Sequence, residues 1–409
     1  MHPVSPVLHE PASIKKLPAS YQTADSSSVH VDIGRRGSTF RGAPEALRPM
    51  DHGPTRTIRG AIAKGCAHAR ELWPTYTVLP PLPFVLWPLY CLSRGERRWE
   101  MVIPVLLGGV VPYLGPRGKR LYLGLLPVGL VGLLYDGMRF VKHVGVSADT
   151  VHLCDLRALD ARFFGAHLNG KLVSVHDVLQ AHASLPLDVF FSIPYGTFLG
   201  AAFFFACFLY VRDYPAMRRF TFAFLALNMA AFFTYHLYPA APPWYYHAHG
   251  CVVDVDAHAS AGPNLTRVDA WLGIPYFTGF YARSSNVFGA VPSLHVAYPL
   301  LIALEGFRPF GTLRSRALGW SLRIASFVFV LWMTTAAIYL DHHWVVDVVV
   351  GLSFGLTTFI VGRVSGFSPS VREVSDFVPG DCNRARRDAY EVRAGSPNAA
   401  PPHRKTMIR

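Results

Sequence analysis

Six long apolar runs, separated by polar loops, restrict the possible folds more than any other feature of this chain. They cover roughly residues 119–138, 186–211, 217–238, 291–306, 320–340 and 344–363. Each approaches the about 20 residues that a helix needs to cross a bilayer. Within lipid, backbone polar groups must find partners inside the element, so such runs have to be helical. Composition agrees: 51% of the 409 residues are hydrophobic and only 16% are charged. That balance is too apolar for an ordinary soluble chain of this size. Two weaker runs, roughly 74–92 and 101–115, are short and interrupted by prolines. They read as a helical hairpin, a re-entrant pair, or one span plus an interfacial piece. The expected fold is an all-α polytopic membrane protein, with a six-helix core and one or two extra N-terminal membrane segments. Eight spans result if both weak runs cross.

The expected organisation follows. Residues 1–70 are polar, without sustained periodicity, and read as a disordered basic tail. Residues 71–118 hold the weak membrane segments, 119–364 the transmembrane domain, and 365–409 a second disordered basic tail. No apolar run of about 7–15 residues follows Lys15 and Lys16, so no secretory signal is expected.

The formal charge of +13 does not point to nucleic acid, because the Lys and Arg residues fall mainly in the tails and in short loops. That distribution sets membrane topology, and the electrostatic partner it suits is an anionic bilayer surface. Arg212, Arg218 and Arg219 mark one loop as cytoplasmic, and Arg308, Arg314 and Arg316 mark another. The loops around 139–185, 239–290 and 341–343 then share the opposite, non-cytoplasmic face. Arg94, Arg97 and Arg98 break this pattern if both weak runs span. Cys154 and Cys251 lie in two loops of that same outer face, where a disulfide is open to them.

Topology brings three motifs to one surface. "FTYHLYPAAPPWYY" (Phe233–Tyr246) ends one helix there, "FGAVPSLHVAYP" (Phe288–Pro299) begins the next, and "YLDHHWVVD" (Tyr339–Asp347) begins the last. Ionisable groups at membrane depth are costly and mark function or a wet cavity. His343 and Asp347, at i and i+4, are expected on one face of the last helix. Asp347 would fix the imidazole tautomer and leave the other nitrogen as a nucleophile. His295 is placed to act as general acid and base. Pro292 and Ser293 resemble a helix start, whose amides and hydroxyl suit a phosphate. The set forms a phosphoryl-transfer site without metal or cofactor. His342, His343 and Asp347 are also metal-ligand types, but adjacent histidines on one helix point in different directions.

With "PSLH" and "HHWVVD" in this order, the chain resembles the type 2 phosphatidic acid phosphatase superfamily. The block from "YPAAPPWYY" to "YLDHHWVVDVVVG" looks like the fungal inositol phosphorylceramide synthases, the aureobasidin A targets, and their bacterial relatives. The similarity covers roughly 186–363. It implies a six-helix phosphatase-type core in which His343 attacks phosphorus and carries a phosphohistidine, Asp347 orients it, and His295 moves the protons. The implied partners are a phospholipid donor and a lipid alcohol acceptor such as ceramide. Water as the acceptor would make the same site a lipid phosphatase.

The phosphatases supply a Lys and an Arg-Pro in their first motif and an Arg before the histidine of the third. Here those stretches read "YHLYPAAPPWYY" and "AIYLDHH". Phosphate charge must then be met by His342, His236, Arg283 or Arg139. Fewer cations suit a diester, with one negative charge, better than a monoester with nearly two. The fungal synthases have Thr where Asp341 stands. Asp188 reads either as an interfacial carboxylate in water or as an acceptor for headgroup hydroxyls. Asp136 and Arg139, at i and i+3, read as a local ion pair or as part of the site.

Overall fold

A computed structural model describes residues 54–96, 101–168 and 170–364. Residues 1–53 and 365–409, which hold most of the two expected tails, lie outside the described residues. So do Arg97 and Arg98. The chain divides into two units, Met1–Thr57 and Ile58–Arg409. Only residues 54–57 of the first are described, as the opening turn of α1 (Pro54–Leu72). That helix corrects the reading of 1–70 as wholly disordered. Pro54 suits the first helical position, and Ile58, Ile62 and Ala69 recur at helical spacing between Arg and Lys residues.

α2 (Leu82–Ser93) and α3 (Val102–Gly109) fall in the two weak runs. They reach about 18 Å and 12 Å, short of the roughly 30 Å hydrocarbon core. Among the described residues the two weak runs therefore form no full span, and the expected eight are not reached. Trp87 Nε1 fastens α2 to α4 (Pro116–Gly137) by donating to Asp136 Oδ2 at 2.9 Å.

The six strong runs are α4, α7 (Leu185–Arg212), α8 (Tyr214–Leu237), α12 (Leu294–Gly311), α13 (Arg316–Tyr339) and α14 (Val345–Val364). Five of them are long and apolar enough to cross a membrane; the first, α4, extends to Phe140 when counted from Pro116. The sixth, α12, packs against α7, α8, α13 and α14, with Val296, Ala297, Leu301 and Ala303 fully buried. A central helix can carry polar groups that a lipid-facing one cannot. Glu305, at 2% exposure, is paired with Arg363 Nη2 at 2.9 Å. The outer helices show the opposite pattern, with Phe204, Leu331 and Val364 exposed where lipid would lie. The chain is an integral, multi-pass, all-α membrane protein.

Loop chemistry sets the helix ends. Asp213 alone joins α7 to α8 and accepts a hydrogen bond from Ala216 N at 2.9 Å, an N-cap followed by proline. Ser315 caps α13 by accepting from Leu318 N. Arg212, Arg218, Arg308 and Arg316 gather at this end of the bundle.

The opposite end carries a lid of short elements, between α4 and α7 and between α8 and α12. The first stretch contains α5 (Cys154–Phe164), an antiparallel hairpin pairing Ala166–Leu168 with Lys171–Val173, and α6 (Val175–Ala181). The second contains α9 (Pro243–His249), α10 (Gly262–Leu272) and α11 (Tyr276–Tyr281). Cys154 and Cys251 form a disulfide between the two, with Cα atoms 5.7 Å apart and a sequence separation of 97 residues. Closing so long a loop restricts the unfolded chain and stabilises by about 2–5 kcal/mol. Cys154→Ser is expected to lower the Tm in detergent, and dithiothreitol should lower the wild-type Tm to the same value.

Candidate active site

Two helix starts and one turn build the site. Tyr339 ends α13, Val345 begins α14, and the turn between them holds Asp341, His342 and His343. His343 therefore precedes the last helix instead of lying on it, which corrects the expected i, i+4 face. Because the turn is not helical, both adjacent histidines line the same cavity. Asp347 is the third residue of α14, and its Oδ2 accepts from Trp344 N at 2.8 Å. This is the return half of a capping box. A side chain at Gly351, one turn on, would overlap the backbone of Ser293. Its absence lets the start of α12 lie directly on α14, with Ser293 N donating to Asp347 O at 3.1 Å.

At this junction His295 Nδ1 and His343 Nε2 are 2.9 Å apart. His343 Nδ1 is 3.0 Å from the Ala290 carbonyl oxygen, which can only accept, so Nδ1 carries the hydrogen. Burial holds His343 down at about 4, so the ring is neutral near pH 7. Nε2 is then a bare lone pair facing the hydrogen of His295 Nδ1. Asp347 Oδ2 lies 3.6 Å from His343 Nδ1, beyond hydrogen-bond reach. The expected orienting carboxylate is thus replaced by a backbone carbonyl, and Asp347 braces the turn from behind. A short ladder fixes that carbonyl: Ala290 N donates to Ala240 O, and Ala240 N to Phe288 O. Trp344, fully buried, donates its indole to Ala241 O at 2.9 Å.

His342 is 4% exposed. Its Nδ1 lies 2.8 Å from the Leu340 carbonyl, and burial holds it too at about 4.

A cavity of about 550 Å³ opens at the three histidines. Its lid-side wall includes Trp244, Tyr281, Arg283 and Asn286. Its far wall is apolar and formed by α4, α7 and α8 through Val131, Ala202 and Phe224. Arg283 is exposed on the rim of this cavity.

The other expected site residues lie elsewhere. Ser293 is buried off the cavity, and its hydroxyl has no hydrogen-bond partner among the described residues. His236 points to the Val144 carbonyl at 2.9 Å and does not line the cavity. Arg139 pairs with Asp136 and with Glu96 at 3.1 Å. Asp188 is fully buried and satisfied by Arg267 Nε at 2.7 Å, Asn264 Nδ2 at 2.9 Å and Tyr339 OH at 3.1 Å. It fastens α10 onto α7 and α13 instead of facing water or a headgroup.

Asp341 was legible only as a departure from a motif. It is 1% exposed and has φ 65°, the left-handed region that Asp tolerates better than most residues. Its Oδ2 meets His247 Nδ1 at 2.5 Å and its Oδ1 lies 3.3 Å from His176 Nδ1. His247 Nε2 continues to Asp177 at 3.3 Å, and Asp177 to Arg157 at 2.6 Å. Burial pushes Asp341 up, but hydrogen bonds from His176 and His247 outweigh it and leave it below 3.8. The Asp341 hydrogen bond raises His247 above 6.5 against burial. The Asp341 contribution is present above pH 3.8 and fades as pH falls through the lowered value. The His247 contribution is complete below pH 6.5 and fades as pH rises through the raised value. The Tm gap between wild type and His247→Gln is therefore expected to be widest between pH 3.8 and 6.5 and to narrow towards pH 8.

Residues 158–361 match the family model of the PAP2 superfamily. The chain is 31% identical over 274 residues to the phosphoinositol dihydroceramide synthase of Bacteroides thetaiotaomicron, covering 67% of this chain and 86% of that protein. The chain belongs to the inositol phosphorylceramide synthase family of the PAP2 superfamily. Two fungal relatives agree. The inositol phosphorylceramide synthase of Candida albicans is 30% identical over 63% of this chain and 51% of its own length. The catalytic subunit of the Saccharomyces cerevisiae enzyme is 34% identical over 48% of this chain and 45% of its own. The chain thus spans about half the length of these two fungal relatives. No solved structure matches it significantly. The family makes this chain a phosphotransferase of the inositol phosphorylceramide synthase type acting on membrane lipids, in preference to the phosphatase alternative.

Proposed function

We propose that the chain moves phosphoinositol from phosphatidylinositol onto a ceramide-type alcohol through a phosphohistidine at His343. The observation that carries this reading is the bare Nε2 of His343, held 2.9 Å from His295 at the head of a cavity with an apolar far wall. A diester phosphate entering between the two rings displaces their mutual hydrogen bond. Nε2 attacks phosphorus, and the bond from phosphorus to the diacylglycerol oxygen breaks. His295, as an imidazolium paired with the phosphate anion, gives that oxygen its proton. The ceramide hydroxyl then enters, loses its proton to His295 and attacks the same phosphorus, breaking the P–N bond. The Ala290 carbonyl keeps the His343 hydrogen on Nδ1 throughout, and Asp347 stands behind the positive charge that forms there.

The active site faces the non-cytoplasmic side in this reading. Supporting it, the disulfide belongs to an oxidising compartment, and arginines cluster at the other end of the bundle. A eukaryotic chain would face the Golgi lumen and a bacterial one the periplasm or exterior.

The test is purified protein in detergent with fluorescent ceramide, phosphatidylinositol and EDTA. The expected result is a new inositol-containing lipid and free diacylglycerol. Free phosphate from phosphatidic acid, with no new sphingolipid, would instead make water the acceptor.

A further inference from the structure

Beside His295 and His343, His342 Nε2 and Tyr281 OH are buried with hydrogen-bonding capacity unmet among the described residues, and the hydroxyl of Tyr195 faces that of Tyr281. An unmet buried polar group is costly, so two such groups in one place call for a ligand. Their rings are contiguous: His342 lies 4.8 Å from Tyr281 and 5.1 Å from Tyr195, centroid to centroid. Tyr195 also stacks on His295 at 4.3 Å, which places the cluster directly against the chemistry. Tyr281 and His342 line the cavity; Tyr195 stands behind them on α7.

The hydrogen inventory decides what fits. His342 Nδ1 faces a carbonyl and carries the hydrogen, so Nε2 can only accept. A phosphate oxygen is also an acceptor and would be repelled there. The tyrosines each offer one O–H and also accept. A mixed donor–acceptor set with no formal charge suits alcohol hydroxyls, which donate and accept in turn.

We infer that Tyr281 and His342, backed by Tyr195, form a hydroxyl-binding subsite that holds the polyol headgroup of the donor lipid beside His343. His342 Nε2 accepts from one ring hydroxyl, and Tyr281 donates to an adjacent oxygen. Tyr195 is a positioning residue, its O–H turned onto the Tyr281 oxygen. His342 thereby moves from the phosphate charge role suggested by sequence to recognition of a neutral headgroup. The inference rests on the proposed donor being an inositol lipid.

Tyr281→Phe, Tyr195→Phe and His342→Asn test it in the full chain, with phosphatidylinositol as the varied substrate and Tm measured alongside. Phe keeps the ring packing, and Asn can keep the hydrogen bond to the Leu340 carbonyl. The expected KM for phosphatidylinositol rises about tenfold in Tyr281→Phe and His342→Asn, the scale of one lost hydrogen bond. A smaller rise is expected in Tyr195→Phe. The Tm of both Phe variants should stay level, because the ring packing is kept. An unchanged KM in an otherwise active enzyme overturns the subsite alone. A lowered Tm in both Phe variants shows the hydroxyls to be structural and also overturns it. A wild type that makes no inositol lipid sinks the functional reading, and the subsite with it.

Discussion

His343→Ala should leave transfer about 10⁴-fold or more below wild type, because no other nitrogen lone pair stands where His343 Nε2 faces His295. The loss of a covalent nucleophile is among the largest single-residue effects in enzymes. It corresponds to about 5.5 kcal/mol of transition-state stabilisation at least. His295 cannot substitute without giving up its own part as the carrier of the proton. His342 cannot either, because its ring packs between Tyr195 and Tyr281. The measurement is the initial rate of inositol-lipid formation from phosphatidylinositol and fluorescent ceramide. A second readout is covalent labelling. Wild type given donor with label in the headgroup, and no acceptor, should retain acid-labile label, and His343→Ala should retain none. Retained label in the variant would place the nucleophile elsewhere.

The helices and the meeting of His295 with His343 were legible in the sequence for a simple reason. A bilayer demands long apolar runs, and basic loops fix their direction, so chain topology alone brings "PSLH" and "HHWVVD" to one surface. Details that depend on tertiary contacts were not legible. Asp347 looked like an orienting carboxylate because i, i+4 spacing assumes a helix already running at His343. The helix begins two residues later, and the carboxylate caps it. No pattern could announce the Ala290 carbonyl, a backbone group placed by a ladder between segments far apart in sequence. Asp188 and Arg139 were read from their positions near the outer surface. Each had a partner far away in sequence, Arg267 for the first and Glu96 for the second. His236 sits in the right motif but on the wrong face of α8. Tyr195 lies in the apolar run 186–211, and Tyr281 lies inside the block that runs from "YPAAPPWYY" to "YLDHHWVVDVVVG". Their signal is lost among 18 tyrosines, and only the place of their hydroxyls in three dimensions sets them apart.

His295→Ala should separate proton transfer from nucleophilic attack. Removing a general acid costs typically about 10²–10⁴-fold, and the loss should be full with phosphatidylinositol. Its leaving group is a glycerol alkoxide, which departs only as it gains a proton. A nitrophenyl phosphodiester loses a stable phenolate that needs no such help. The variant should therefore release nitrophenol within about tenfold of the wild-type rate while making almost no inositol lipid. Its second half-reaction should still fail, because the ceramide hydroxyl has lost its base, so nitrophenol appears in a single burst and the phosphorylated His343 persists. The stacking of His295 on Tyr195 and its contact with Phe198 at 4.7 Å make a folding defect the competing explanation. His295→Gln keeps more of that bulk and should show the same split between the two donors. If both variants lose both donors equally at unchanged Tm, His295 acts on the nucleophile itself and not on the leaving group. The hydrogen bond between the two rings would then be part of the attack and not a resting contact that substrate displaces.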